Sequence, residues 1–211
     1  MLVPRARPRS AVVFLHGWKA TPRSSGSAWV AQFRPWLDHL ASRGSVVLFP
    51  AYQTGGDGQG PGRVASLRRG LETGLARLRL DRLPLVAAGY SYGASLAFAY
   101  AANARAWGLP QPRAVDAVFP AAPVAGAPLP PLGRSVEVVI EVGDRDTVAG
   151  RSGADAFWSW LGGRGRARRL VVVRSHGSFV ADHAAPKLTS AAARRAFWEP
   201  LDALVSRASA S

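Results

Sequence analysis

Cysteine is absent from the 211-residue chain, and methionine occurs once. The lack of cysteine excludes disulfide bonds, thiolate metal ligands and a cysteine nucleophile, although it leaves the redox compartment open. The chain also lacks histidines spaced as in a zinc motif such as H-E-x-x-H. Its four histidines are His16, His39, His176 and His183. We therefore expect neither a metal ion nor another cofactor.

Long apolar runs are missing as well. No run approaches the roughly 20 residues of a membrane-spanning helix, and no hydrophobic region of signal-peptide length follows the charged start MLVPRARPRS. We therefore expect a cytoplasmic protein without stable membrane insertion. The length and the 48% hydrophobic content predict one domain over 1–211 with a core at about 11–205. The oligomeric state stays open.

Lysine is scarce, although 27 basic residues oppose 13 acidic ones and the formal net charge is +14. Only Lys19 and Lys187 are lysines, so arginine supplies the charge, scattered along the chain with one dense run at 164–169. That run indicates a solvated turn before a strand, with a phosphate-binding patch as the alternative. Because the charge is scattered, we expect no nucleic-acid partner. The net charge would still attract anionic substrates.

The stretch 85–99 (LVAAGYSYGASLAFA) predicts a buried strand, a sharp turn and a helix, with Ser91 at the corner. Gly89 and Gly93 flank this serine in the pattern G-x-S-x-G, where a larger side chain would collide with the neighbouring strand or helix. Such a turn exposes the serine hydroxyl above the carboxyl end of a sheet. We therefore predict that Ser91 is a nucleophile and that the Tyr92 amide, at the helix N-terminus, stabilises an oxyanion. A glycine-rich turn with an idle serine is the alternative.

Strands and helices alternate along the whole chain. Short apolar runs predict strands at 11–15, 46–49, 85–88, 114–119, 136–142 and 170–173, and helical spacing predicts helices at 29–40, 63–80, 94–106, 154–161 and 191–205. This order indicates an α/β fold with a mostly parallel sheet of about six strands and helices on both faces. Pro35 fits the first turn of its helix, and Pro200 predicts a kink. The connection 120–132 is too short for a lid domain.

Two strand ends supply further candidates at the same edge of the sheet. After the first strand, Gly17 would let a loop amide approach a ligand, so we predict that the backbone N–H of Trp18 is the second oxyanion donor. We expect His16 to shape this loop by hydrogen bonding. After the second strand, Tyr52 and Gln53 are predicted substrate-binding residues.

Acyl transfer by a serine needs a base to accept its proton and an acid to orient that base. The chain offers these in the order Ser91, then Asp144 or Asp146, then His176 or His183, each just beyond a predicted strand. Loops at one sheet edge bring such residues together wherever they stand in the sequence.

In this order of motifs the chain resembles the α/β-hydrolases. HGW is similar to the oxyanion-loop motif of that family, GYSYG to its nucleophile elbow and GDRDTV to its acid-bearing turn, and the match spans about 11–205. The stretches VVLFPAYQ and FVADHAAP are similar to a small capless bacterial branch of lipase- or chlorophyllase-like hydrolases. The resemblance implies a Ser-Asp-His triad, although two leading antiparallel strands and the cap insertion of the family are missing here.

The resemblance also ranks the candidate acids and bases. The family's turn reads Gly-x-x-Asp-x-x-Val, which favours Asp146 over Asp144. In the family's sheet the last strand lies three strands from the nucleophile strand, roughly 14 Å, and a residue spans at most about 3.6 Å. His183 therefore has better reach than His176, which stands three residues beyond Val173. Against this, many family members carry the histidine close to the strand and beside glycine, as His176 is.

The sequence thus predicts a serine hydrolase that cleaves carboxylic esters or related acyl bonds, with Ser91, Asp146 and His183 as the catalytic residues. The alternative is a hydrolase-like binding protein without turnover. The expected partner is a small-molecule acyl ester. The absent lid suggests an open, shallow cleft, and aromatic residues near the sheet edge suggest that its wall is apolar, suited to small esters or to the end of a lipid. They are Trp18, Tyr52, Tyr90 and Tyr92.

Overall fold

The computed structural model of the chain describes residues 1–18, 26–53 and 61–210. The sequence indicates polar loops at 21–28 and 55–62. Residues 21–25 and 55–60 lie outside the described ranges, whereas 26–28 and 61–62 are helical rather than loop. The strands are β1 (Ser10–Leu15), β2 (Ser45–Leu48), β3 (Leu85–Tyr90), β4 (Ala114–Val118), β5 (Glu137–Gly143) and β6 (Ala167–Val173). The helices are α1 (Gly26–Ser42), α2 (Pro61–Leu78), α3 (Tyr92–Asn103), α4 (Ser152–Leu161), α5 (Ala191–Ala193) and α6 (Glu199–Ala210), with 3-10 turns at Leu80–Arg82 and Ala185–Lys187.

The six strands form one sheet in the order β2-β1-β3-β4-β5-β6, and every pairing in it is parallel. The predicted α/β class with a mostly parallel sheet of about six strands is therefore confirmed. At the β2 edge, Leu2 adds an isolated antiparallel bridge to Val47. Residues 119–136, between β4 and β5, form neither helix nor strand, in agreement with the absence of a lid in this connection.

Strand alternation divides the buried residues into two cores, one on each face of the sheet. In β1, Val13 and Leu15 face the core that α2, α3 and α4 cover. Val12 and Phe14 face the core that α1 and α6 cover. Because both faces are covered, every residue of β1 to β4 is buried, which is why these strands are mostly apolar rather than alternating; the buried polar exceptions are Ser10, Ser45 and Asp116.

One proline, Pro35, lies differently from the prediction. Pro35 is inside α1 rather than in its first turn. Near Pro200 the chain forms a π-helical turn at Arg194–Trp198 between α5 and α6. A wider turn of this kind is a recognised way for a helix to accommodate a local disruption. Ser190 caps the segment by accepting a hydrogen bond from the Ala193 amide at 3.3 Å.

The basic run at 164–169 is not a turn over its whole length, because β6 begins at Ala167. β6 is an edge strand, so arginine side chains there can reach solvent. The guanidinium of Arg168 packs 4.6 Å from the centre of the Trp158 ring. Among the described residues, no helix combines the length and the apolar character needed to cross a bilayer.

Candidate active site

Ser91 occupies the turn between β3 and α3 with φ 57° and ψ −125°. This backbone is strained for a residue with a side chain, and its neighbours must be small. A Cβ on Gly89 would lie 2.3 Å from the Gly93 carbonyl oxygen, and one on Gly93 would lie 2.2 Å from that of Leu15. The turn is held to β4 by a hydrogen bond from the Ser91 amide to the Val118 carbonyl at 2.8 Å. The two glycines are therefore required by close packing.

Three predicted residues meet at this turn. The Ser91 hydroxyl oxygen lies 3.1 Å from His183 Nε2, and His183 Nδ1 lies 2.9 Å from Asp146 Oδ2. These distances are within hydrogen-bonding range. The structure thus brings together Ser91, His183 and Asp146, which come from three separate loops at the carboxyl ends of β3, β6 and β5.

The Asp146 side chain is fully shielded from solvent. Burial acts to raise its pKa, but the hydrogen bonds from His183 and from the amides of Val148 and Ala149 outweigh burial, so the pKa lies below its ordinary value. An ionised carboxylate only accepts hydrogen bonds, so the proton must be on His183 Nδ1. The Nε2 atom of a neutral His183 then accepts from the Ser91 hydroxyl.

The loop after β6 reaches Ser91 because it lies directly on the end of β5. The Arg145 amide donates to the Ala181 carbonyl at 3.2 Å, and a Cβ on Gly143 would lie only 2.0 Å from that same oxygen. Ser175 braces the loop from within, since its hydroxyl donates to Asp144 at 2.6 Å and accepts from the Ala181 amide at 2.9 Å. This packing sets the position of Ala181, two residues before His183.

The residues that the sequence left as alternatives lie elsewhere. Asp144 is exposed and accepts hydrogen bonds from the amide and hydroxyl of Ser175, so it holds the loop. His176 is exposed, and its backbone pairs with that of Phe179. His39, which was not among these alternatives, forms a hydrogen bond through Nε2 with Asp202 Oδ2 at 2.8 Å.

Tyr90 and Phe119 pack against the His183 ring and hold it in position. The Tyr90 hydroxyl donates to the His183 carbonyl at 2.6 Å, and the ring centres of Tyr90 and Phe119 lie 4.9 and 6.0 Å from that of His183. Burial raises the Tyr90 pKa, which keeps the hydroxyl a donor. Tyr90 is 1% exposed, so it does not form the cleft wall that the sequence suggested, because strand alternation turns it inward toward the face that α1 and α6 cover.

Phe119 was not identified from the sequence, where it reads as an ordinary residue at the end of an apolar strand. Its φ of 53° places it in the left-handed region, which is rare for a bulky residue. The Phe119 amide still donates to the Glu141 carbonyl at 2.9 Å. Its strained backbone, like that of Ser91, is a feature that clusters at functional sites.

The loop after β1 is supported by an aromatic stack. The buried His16 ring lies 4.2 Å from the Tyr52 ring and 5.2 Å from the Trp29 ring, nearly parallel to both, and its Nδ1 donates to the Gly17 carbonyl at 2.8 Å. The Tyr52 hydroxyl donates to the His16 carbonyl. Tyr52 is 1% exposed, so it supports this loop rather than lining a cleft as the sequence suggested. Gln53 is partly exposed, and its binding role stays a prediction.

The predicted oxyanion donors belong to segments in direct contact. α3 begins at Tyr92, and a Cβ on Gly93 would lie 2.3 Å from the His16 carbonyl oxygen, so the start of α3 abuts the loop that carries Trp18. Arg63, in α2, extends to the same place. Its guanidinium carbon lies 5.8 Å from the Trp18 ring centre and 5.3 Å from the Tyr92 ring centre. The sequence analysis did not single out Arg63, because it stands in a regular amphipathic helix.

Within residues 1–18, 26–53 and 61–210, no three histidine or acidic side chains are grouped so that they could hold a metal ion. The polar groups around Ser91 are those of a serine, an imidazole and a carboxylate.

Comparison with known proteins adds to this picture. No family model and no curated protein matches the sequence. Solved structures do match. The apo form of Thermogutta terrifontis esterase 2 has a TM-score of 0.67 and 20% identity, covering 97% of this chain and 87% of that one. Esterase B from Lactobacillus rhamnosis has a TM-score of 0.68 and 15% identity, covering 97% and 80%.

The esterase domain of a Rhodothermus marinus protein is similar at a TM-score of 0.64 and 14% identity, covering 98% of this chain and 90% of that one. At these identities the likeness concerns the fold. Together with the all-parallel sheet and the turn at Ser91, it shows that the chain has the minimal α/β-hydrolase fold that the sequence resemblance implied.

Proposed function

We propose that the chain is a serine hydrolase that cleaves small carboxylic esters through an acyl-enzyme on Ser91. The observation that carries the proposal is the continuous hydrogen-bonded series from the Ser91 hydroxyl through His183 to Asp146. A serine in a strained, glycine-flanked turn has no structural need for this series, whereas nucleophilic catalysis requires it.

In the proposed mechanism the Ser91 oxygen attacks the ester carbonyl carbon while His183 Nε2 accepts the hydroxyl proton. Asp146 stabilises the imidazolium that forms, because its carboxylate faces Nδ1 at 2.9 Å. His183 then donates the proton to the alkoxide leaving group, and the acid portion of the ester remains bound to Ser91. Water activated by the same histidine hydrolyses the acyl-enzyme and restores the serine.

The negative charge on the carbonyl oxygen needs donors on the opposite side from His183. The amides of Tyr92 and Trp18 are the proposed donors. Tyr92 starts a helix, where the partial positive charge favours an anion, and the His16–Gly17–Trp18 loop is held against this helix start by packing at Gly93. Each donor of this kind contributes on the order of 10² to 10³ in rate.

The structural neighbours support the chemistry. Thermogutta terrifontis esterase 2 has been solved with butyrate bound and phosphoramylated by tabun. For this chain we infer a short acyl ester as substrate and susceptibility to organophosphorus reagents. A single domain with its core at about 11–205 and a cytoplasmic location, as predicted from the sequence, complete the proposal.

Hydrolysis of p-nitrophenyl butyrate by purified protein tests the proposal. We expect turnover that Ser91→Ala abolishes and that His183→Ala lowers by 10² or more. His176→Ala is the matched control, because His176 is an exposed histidine of the same loop, and it should retain the parent rate. Turnover that survives Ser91→Ala would refute the assignment. An absence of turnover across ester, thioester and amide panels would favour a hydrolase-like binding protein.

A further inference from the structure

Arg63 is an unusual cation in this basic chain. Only 8% of the residue is exposed, and in the part of the chain that the structure describes no carboxylate lies within ion-pair distance of it. Arg68, further along the same helix, is exposed and pairs with Glu72 at 2.7 Å. Other arginines with acidic partners, such as Arg34 and Arg151, are exposed as well. A buried arginine of this kind therefore calls for an explanation.

Removing a charge from water without an opposite charge beside it is unfavourable, and buried cations are almost always paired. The rings of Trp18 and Tyr92 stabilise the guanidinium from 5.8 and 5.3 Å, but such contacts replace only part of the hydration that a charge loses on burial. The N–H donors lie in the guanidinium plane, and neither ring supplies an anionic acceptor for them. An anion that binds in this plane would supply the missing partner.

The position of Arg63 relates it to Ser91. Tyr92 directly follows Ser91, and Trp18 lies on the loop that abuts the start of α3. Arg63 also acts electrostatically on Tyr52, the tyrosine that supports this loop. The guanidinium therefore contacts the side chains of both residues whose amides are the proposed oxyanion donors.

We propose that Arg63 binds a carboxylate carried by the acyl portion of the substrate, so that the preferred substrates are monoesters of dicarboxylic acids. The inference rests on the proposed function of Ser91.

We assign the carboxylate to the acyl portion of the substrate, and not to the alcohol portion, because the neighbours of His183 and the helix that carries Arg63 belong to opposite faces of the sheet. The leaving alkoxide must receive its proton from His183, whose neighbours Tyr90 and Phe119 belong to the core under α1 and α6. Arg63 comes from α2, which covers the opposite face of the sheet together with α3. The substituent that extends toward Arg63 is thus the one remaining on Ser91 after the alcohol has left. The net charge of +14 would assist the capture of an anionic ester.

Benzyl esters of matched length test the inference. Monobenzyl glutarate, adipate and pimelate are compared with benzyl pentanoate, hexanoate and heptanoate, and released benzyl alcohol is measured by chromatography. We expect the parent protein to hydrolyse at least one monoester with a higher kcat/KM than its neutral counterpart. Arg63→Gln should lower kcat/KM for that monoester about 10- to 100-fold more than for the neutral ester, since a charge-assisted contact is lost. Arg63→Lys should retain part of the preference.

Arg68→Gln is the matched control and should leave both rates at the parent level. The 4-carboxybenzyl ester of hexanoic acid, which places the charge on the alcohol, should show no selective loss in Arg63→Gln. An equal loss for charged and neutral acyl chains would overturn the inference, because it would mean that Arg63 only supports the fold. Neutral-ester turnover that depends on Ser91, without any preference for the monoesters, would overturn it while leaving the proposed function intact. No turnover of any ester would overturn both.

Discussion

Gly143 offers a quantitative test of how the His183 loop is positioned. In Gly143→Ala the new Cβ would lie 2.0 Å from the Ala181 carbonyl oxygen and 2.9 Å from Phe119 Cζ. Ordinary contact begins at 3.4 Å, so the Ala181 carbonyl must retreat by about 1.4 Å unless the end of β5 moves instead. Both contacts belong to residues that position His183, because Ala181 precedes it by two residues and Phe119 packs against its ring.

A misplacement of about 1 Å in a reacting group can lower a rate about 10²-fold. We therefore expect Gly143→Ala to lower kcat for p-nitrophenyl butyrate by about this factor while KM changes little. The strain should also reduce the free energy of unfolding by about 1–3 kcal/mol, the usual cost of overpacking. Parallel measurements of steady-state kinetics and of denaturant unfolding separate the two effects.

Gly133→Ala is the control, since a Cβ there would meet its nearest neighbour, the Val136 side chain, at 3.8 Å. It should match the parent in both assays. If Gly143→Ala folds and keeps the kcat of the parent protein, the contact at Gly143 does not position His183. Such a result would show that the loop can shift away from residue 143 without displacing His183, and it would refute this reasoning.

Further predictions concern other contacts of the site and one buried pair. Tyr90→Phe removes the donor to the His183 carbonyl and should lower kcat about 2- to 10-fold, the rate equivalent of one hydrogen bond; parent kcat would contradict the positioning role. In Gly17→Val the new side chain would crowd the rings of Tyr90 and Trp29, which lie 3.1 and 3.2 Å from a Cβ at this position. Because this shifts the Trp18 amide, kcat should fall about 10²- to 10³-fold. If kcat stays at the parent value, this loop does not supply an oxyanion donor. Burial raises the pKa of Asp116 to about 8, and it also raises that of its fully buried neighbour Glu141. Because the folded chain then binds more protons than the unfolded chain, its stability should fall as the pH rises from about 4 to 8, and Asp116→Asn should reduce this slope by up to about 1.4 kcal/mol per pH unit; equal slopes by urea denaturation would contradict the assignment.

The fold follows from local patterns in the sequence. Apolar runs such as 11–15 and 85–88 predict strands because both faces of the sheet are covered, and the structure extends these runs by only one or two residues. The turn at Ser91 is equally local, since both glycines that allow it stand beside it in the chain. The predicted ends of a strand were less accurate where they depend on the position of that strand in the sheet. β6 begins three residues before the prediction, because an edge strand accepts arginines that read as a turn.

The site depends on contacts between distant residues, and there the sequence was less informative. Chain reach favoured His183 over His176, and the structure places His183 beside Ser91. Tyr52 and Tyr90 stand just beyond or at a strand end, as wall residues would, yet both are buried. Whether such a ring faces solvent depends on the side to which the strand turns it and on partners such as His16, which lie far away in sequence. The contact of Arg63 with Trp18 and Tyr92 had no local signal at all.

The most direct test of the account is covalent labelling of the nucleophile. The protein is treated with a fluorophosphonate, and intact-protein and peptide mass spectrometry locate the adduct. We predict one adduct per chain, on Ser91, with none in Ser91→Ala and a labelling rate at least 10²-fold lower in His183→Ala than in His176→Ala. An adduct on another residue, or labelling at the parent rate in His183→Ala, would contradict the proposed catalytic role of Ser91 and His183.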